Sequence, residues 1–262
     1  MDALPWWGLP LIFALLEGAL CSSVGTVLLT QRRILQANLI AHGVLPGLAI
    51  AIALQLDPAI GGWISGLAAA LLAERLIRSH QQQQEAVQNT VLAGSLATGI
   101  LLVALLQQRV ELEGLLFGDL LIAGGRDLFQ SVLAAAVAIA FITTQYKQLV
   151  FSGVDPDGAE AAGLPIHRLR IVLAVVTTLV IVSAISAVGI ILVIALLCAP
   201  AVLGLHQASS LSGAMTRAAV IGSSCSLAGF GLALLLDLPP GPVIGLLCLL
   251  LLFLPRSDQN KN

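Results

Sequence analysis

The pair Asn38 and His42 carries the residue types and spacing best suited to holding a cation in this chain. Residues four apart share one face of a helix. An imidazole nitrogen and an amide oxygen are ligands that a borderline divalent metal accepts. The residues around them, Leu39-Ile40-Ala41 and Gly43-Val44-Leu45, are apolar. Arg32-Arg33 marks one membrane face just before the pair, and at 1.5 Å rise per residue His42 lies about 15 Å further on, near the middle of a hydrocarbon layer about 30 Å thick. A titratable group at that depth is costly, and its usual use is a path for an ion or proton. The plain alternative is a histidine donating one interhelical hydrogen bond.

The neighbouring residues shape the same helix. Gly43 and Gly47 form a Gly-x-x-x-Gly spacing that lets another helix approach closely. Pro46 frees a backbone carbonyl and bends the helix. Glu17, in Leu15-Leu16-Glu17-Gly18, is a second charge within an apolar run, read as part of a path or gate, or as a glutamate reaching toward the outer interface or pairing with a polar neighbour. Pro200 lies deep in the run Gly189 to Ala201 and marks a kink, static or moving. The four cysteines, Cys21, Cys198, Cys225 and Cys248, all fall in apolar runs and form no Cys-x-x-Cys pair, so they read as packed small hydrophobes. His80, His167 and His206 are placed at the cytoplasmic side and carry no assigned role.

The elements that must position these residues are membrane helices. The chain has 262 residues, 58% hydrophobic and 10% charged, with a mean hydropathy of +1.00. Soluble domains carry roughly 25% charged residues. Apolar runs recur at 8–30, 36–56, 59–77, 89–106, 128–146, 169–187, 189–206, 216–236 and 241–255. This gives an all-α polytopic membrane protein of eight or nine transmembrane helices, in one domain over 1–262. The pair of runs around Gly189 has almost no loop between its members, so one of them reads as a broken or re-entrant helix. The first run is too long for a signal-peptide core and lacks a basic flank, so it reads as a mature helix.

Charge placement sets an orientation. With nine spans, an outside N-terminus and a cytoplasmic C-terminus, Arg32, Arg33, Arg75, Arg78, Lys147, Arg168, Arg170, Arg217, Arg256 and Lys261 fall inside, and only Arg109 and Arg126 fall outside. Between the runs, Gln81-Gln82-Gln83-Gln84 is a polar cytoplasmic linker, and Leu115 to Leu121 is an apolar external segment too short to cross. The longest soluble stretch, Phe151 to Arg170, holds a short capped helix, with Asp155 at the N-cap, Pro156 at the first helical position and Gly163 at the stop. No Gly-Lys pair exists, so a Walker A loop is excluded; neither His-Glu-x-x-His nor Gly-x-Ser-x-Gly occurs. A pump built on this chain draws its energy from a partner or from an ion gradient, and a secondary transporter using Glu17 and His42 is the competing reading.

Four segments together resemble the membrane permease of the zinc- and manganese-importing ABC transporter family. They are Arg32-Arg33 with Asn38-x-x-x-His42-Gly43-x-x-x-Gly47, Leu116-Phe117-Gly118-Asp119-Leu120-Leu121, Asp155-Pro156-x-x-Ala159-x-x-x-Gly163, and Val188-Gly189 through Pro200-Ala201 with Leu238-Pro239-x-Gly241-Pro242. The resemblance implies a non-catalytic permease subunit in the bacterial inner membrane, working as a homodimer around one path. It also implies two cytoplasmic ATP-binding subunits and a periplasmic or lipoprotein metal-binding protein, with lipid around it and no nucleic-acid partner. Zn²⁺ or Mn²⁺ passes as substrate, and no cofactor stays bound. By the same resemblance Asp155, Pro156, Ala159 and Gly163, within about 151–168, couple to the ATPase. Asn38 and His42 line or gate the metal path. The family has aspartate where this chain has Asn38. The lost charge weakens a site for Mn²⁺ more than one for Zn²⁺, which tilts the expectation to zinc.

Overall fold

The computed structural model describes residues 7–79, 83–107, 118, 120–206 and 208–253. His80, Gln81, Gln82, Arg109, Leu116, Phe117, Asp119, Arg256 and Lys261 lie outside the described residues. Among the described residues the chain forms ten α-helices and one 3-10 turn at Leu120–Ile122. We number the helices α1 (Gly8–Thr30), α2 (Ile34–Ala53), α3 (Pro58–Ser79), α4 (Gln84–Leu105), α5 (Gly125–Val154), α6 (Pro156–Ala161), α7 (Ile166–Val188), α8 (Ile190–Leu205), α9 (Leu211–Leu236) and α10 (Pro240–Leu251). Seven of them, α1 to α5, α7 and α9, are long and apolar enough to cross a membrane. The helices α8 and α10 are apolar but have only 16 and 12 residues. The nine apolar runs are thus nine helices, of which seven have the length to cross unaided.

Small residues hold the bundle together, as expected where lipid removes the hydrophobic drive between helices. The Gly-x-x-x-Gly face of α2 meets α3: a Cβ on Gly47 would strike the Gly61 carbonyl, and one on Gly43 would strike the Ala69 methyl. On α1, Gly18 and Ser22 face Gly222 and Ser226 of α9, and Gly25 sits on the backbone of Leu197 in α8. The helices α9, α8 and α5 pack around α1, which is largely buried.

Ion pairs identify the two ends. Arg33 pairs with Glu74, and the Arg78 guanidinium lies against the His167 ring, so the α1–α2 turn, the end of α3 and the start of α7 share one end. Arg126 pairs with Asp57 at the other, joining the α2–α3 turn to the start of α5.

The break at Gly189 is sharp. Its φ of 79° and ψ of 159° belong to a region essentially restricted to glycine, so α7 ends there and α8 starts one residue later. Gly118, also at positive φ, packs onto this break: a Cβ there would come within 2.5 Å of the Gly189 nitrogen. Gly189→Ala should therefore cost about 1–3 kcal/mol through backbone strain alone. Thermal melting of the purified variant checks this, and an unchanged melting point would show that the backbone relaxes at no cost.

Hydropathy places the fifth span at 128–146, yet α5 runs over 30 residues, from Gly125 to Val154. That is about 45 Å of helix against a hydrocarbon layer of about 30 Å. Gln145, Lys147 and Gln148 end the apolar run but are all good helix formers, so the helix continues past the membrane.

Candidate functional site

Between Gln36 and Ala51 every residue of α2 is buried except Asn38, His42, Pro46 and Ile50. Their four-residue spacing makes one open stripe along an otherwise enclosed helix. The other faces of α2 are taken by α3, α4 and α7. Asn38 and His42 therefore share the single surface that α2 leaves uncovered.

The imidazole is oriented from within its own helix. His42 Nδ1 lies 2.9 Å from the Asn38 backbone oxygen. A carbonyl only accepts, so in the neutral ring Nδ1 holds the proton and Nε2 presents its lone pair outward. Fixing one ring nitrogen on a carbonyl is how metal-ligating histidines are usually oriented. Pro46 adds to the donor set, because its missing N–H removes the helical partner of the carbonyl four residues back, that of His42. One nitrogen, one amide oxygen and one released carbonyl are thus available along a single stripe. Among the described residues no group of three or more His, Cys, Asp or Glu side chains gathers at a possible metal site.

Glu17 is elsewhere. Its carboxylate is fully buried, accepts from the Ser131 hydroxyl of α5, and has Cys21 Sγ at 3.5 Å. The carboxylate thus sits against a polar neighbour on α5, away from any exposed interface. The carbonyl that Pro200 frees, that of Leu196, accepts from Ser22 Oγ of α1 at 3.1 Å. The bend in α8 is therefore satisfied by a side chain of a neighbouring helix, as in other membrane helices that tolerate proline. Cys225 and Cys248 pack with their sulfur atoms 3.4 Å apart in the α9–α10 interface, and all four cysteines are free.

The short helix α6 is capped at both ends. Asp155 Oδ1 accepts from the Gly158 N–H at 2.8 Å, and Pro156 occupies the first helical position. At the other end Gly163 has φ 79°. The Gly163 N–H donates to the Glu160 oxygen at 2.9 Å and the Leu164 N–H to the Ala159 oxygen at 3.1 Å, a Schellman closure. Pro156, Asp157, Glu160 and Ala161 are exposed, whereas Ala159 is wholly buried against the bundle. Ala159 is therefore the seat of α6, and the exposed residues form its outer face.

Two features escaped sequence reasoning. One is the ion pair of Arg33 and Glu74, both largely buried, with Gln36 Oε1 also 3.0 Å from the Arg33 guanidinium. Its only local signal is an acid inside the apolar run of α3. The other is the seating of Gly118 on Gly189, between segments that no spacing rule connects.

The sequence profile of the ABC 3 transport family matches residues 9–257. The chain belongs to the ABC 3 transport family. Its similarity to an uncharacterized membrane protein of the ycf23-apcF intergenic region of Cyanophora paradoxa is 32% identity over 253 residues, covering 96% of this chain and 85% of that protein. It is 29% identical over 244 residues to the manganese transport system membrane protein MntC of Listeria monocytogenes, covering 93% of this chain and 87% of that one. Its fold matches a solved structure of PsaBC from Streptococcus pneumoniae in complex with Fab at a TM-score of 0.86 and 27% identity, over 99% of this chain and 95% of that one. As an ABC 3 transport family member the chain is a multi-pass membrane permease of a metal-importing ABC system, and the resemblance read from its four segments is borne out.

Proposed function

We propose that two copies of this chain enclose one cation path, with the Asn38–His42 stripe of each α2 facing it. The observation that carries this reading is the open stripe itself. A polar pair at mid-bilayer depth on the only uncovered face of a helix must meet protein or water, because exposure to lipid is costly. A second copy laid over the stripe leaves a wet path lined by imidazole, amide and carbonyl. Such neutral ligands hold an ion weakly enough to release it.

The cargo is a divalent transition metal. The amide at position 38 favours zinc, whereas the relationship to a manganese transport protein favours manganese. The relative outweighs one side chain, so manganese comes first. ATP is hydrolysed on separate cytoplasmic subunits that dock on the outer face of α6, and a metal-binding protein delivers the ion at the opposite end. This places Arg33, Arg75, Arg78 and α6 on the cytoplasmic side of a bacterial inner membrane, with the N-terminus outside and the C-terminus inside.

The test is reconstitution in liposomes with and without the ATPase subunits. ATP-dependent manganese uptake only in their presence is the expected result. Uptake by this chain alone under a pH gradient would reject the reading in favour of a secondary transporter. Restoring a carboxylate with Asn38→Asp should raise the manganese-to-zinc uptake ratio; an unchanged ratio would remove position 38 from the path.

The seat and the outer face of α6 separate in a second experiment. Ala159→Lys forces a long side chain into a packed site and should cost about 1–3 kcal/mol of permease stability as well as ATPase binding. Glu160→Lys should weaken ATPase co-purification while leaving the permease melting point unchanged. Full ATPase retention by Glu160→Lys would place the docking surface elsewhere.

A further inference from the structure

A cleft of about 540 Å³ opens between α3 and α7 at the end of the bundle that carries the Arg33–Glu74 pair. Its walls have a matched gradient. Along α3 the lining passes from Ala68 through Leu71 and Leu72 to Arg75 and Arg78, and along α7 it passes from Ile171 back to His167. Both helices thus present apolar side chains toward the bilayer centre and basic ones toward the same end. From Ala68 to Arg78 the slot is about 15 Å long, the depth of one leaflet.

Among the described residues the charges at the mouth have no counterion. Among the described residues neither Arg75 nor Arg78 has an ion-pair partner, and the one acid in the lining, Glu74, is engaged by Arg33. Arg78 instead points at the His167 ring, which offers no negative charge. Leu71 and Leu72 are 36% and 50% exposed, so the walls below the arginines are open to hydrocarbon.

We infer that this cleft binds an anionic glycerophospholipid, its phosphate between Arg75, Arg78 and His167 and its acyl chains along Leu72 and Ile171. Basic pockets between membrane helices at the headgroup level are suited to such lipids. A water-soluble anion would satisfy the arginines but leave the apolar walls unused. The acidic surface of a protein partner would not reach between the helices. Because His167 is the second residue of α7, directly after the α6 corner, a bound lipid would brace the segment that carries α6.

Native mass spectrometry of the full-length chain in detergent tests this with phosphatidylglycerol as probe and phosphatidylcholine as reference. Phosphatidylglycerol should remain bound at collision energies that strip phosphatidylcholine, and Arg75→Ala/Arg78→Ala should lower its retention at least fivefold. Ile171→Trp, which keeps both arginines and fills the slot, should do the same, whereas Lys147→Ala on α5 should not. Equal retention of the two lipids, or double-variant retention equal to wild type, would overturn the site. Displacement of the lipid by glycerol 3-phosphate at equal concentration would reassign it to a free phosphate. Loss of the ATPase from the double variant with lipid retention intact would reassign the arginines to a protein contact.

Discussion

His42→Ala should bring ATP-driven manganese and zinc uptake down to background while the permease still folds and still binds its ATPase. The ring is only half buried, and its one hydrogen bond is to its own helix, so removing it opens little space and orphans nothing. What is lost is the outward Nε2 lone pair. Removing an outer-shell partner of a metal ligand commonly costs roughly 10–100-fold in affinity or activity, and loss of the ligand itself should cost at least as much. Uptake in proteoliposomes, alongside co-purification of the ATPase, separates this from a folding defect. Near-normal uptake would take His42 out of the path and remove the main support for a stripe-lined channel.

Glu74→Leu should be among the most damaging single changes to stability. It strands the Arg33 guanidinium, whose side chain is 11% exposed, against the Gln36 amide oxygen. Breaking a buried pair by deleting one partner costs about 3–5 kcal/mol. In a chain of this size that corresponds to a fall of roughly 10 °C in melting temperature. The double change Arg33→Met/Glu74→Leu should recover most of the loss, because replacing both charges with apolar groups removes the stranded ion. A single variant that melts with the wild type would mean that water or lipid headgroups reach Arg33 after all.

Much of this architecture was legible because membrane helices announce themselves locally. The helix α2 followed from the apolar run after Arg32-Arg33, and the shared face of Asn38 and His42 from their four-residue spacing. The helix α6 followed from Asp155-Pro156 and Gly163, whose preferences act within a few residues. The break at Gly189 was visible as two apolar runs without a loop. What stayed hidden depends on distant parts of the chain. Nothing near Glu17 reveals that Ser131 will meet its carboxylate, and nothing near Ala159 says that it turns inward while Glu160 turns out. The overrun of α5 was missed because hydropathy reports where lipid ends, whereas Gln145 to Val154 stay helical for reasons of backbone preference. The count of crossings is blurred by α8 and α10, whose composition suits a membrane but whose length falls short of it.

The length of α5 carries a mechanical consequence. It is one unbroken rod from the Asp57–Arg126 clasp at one mouth of the bundle to Asp155, which is at once its last cap and the first cap of α6. No non-helical residue interrupts α5 between Gly125 and Val154. With the ATPase docked on α6 as proposed, a tilt of that end would be carried along α5, past the Ser131–Glu17 contact at its seventh residue, to the opposite mouth. Under that proposal the two mouths are joined by one continuous helix and not by a jointed linker.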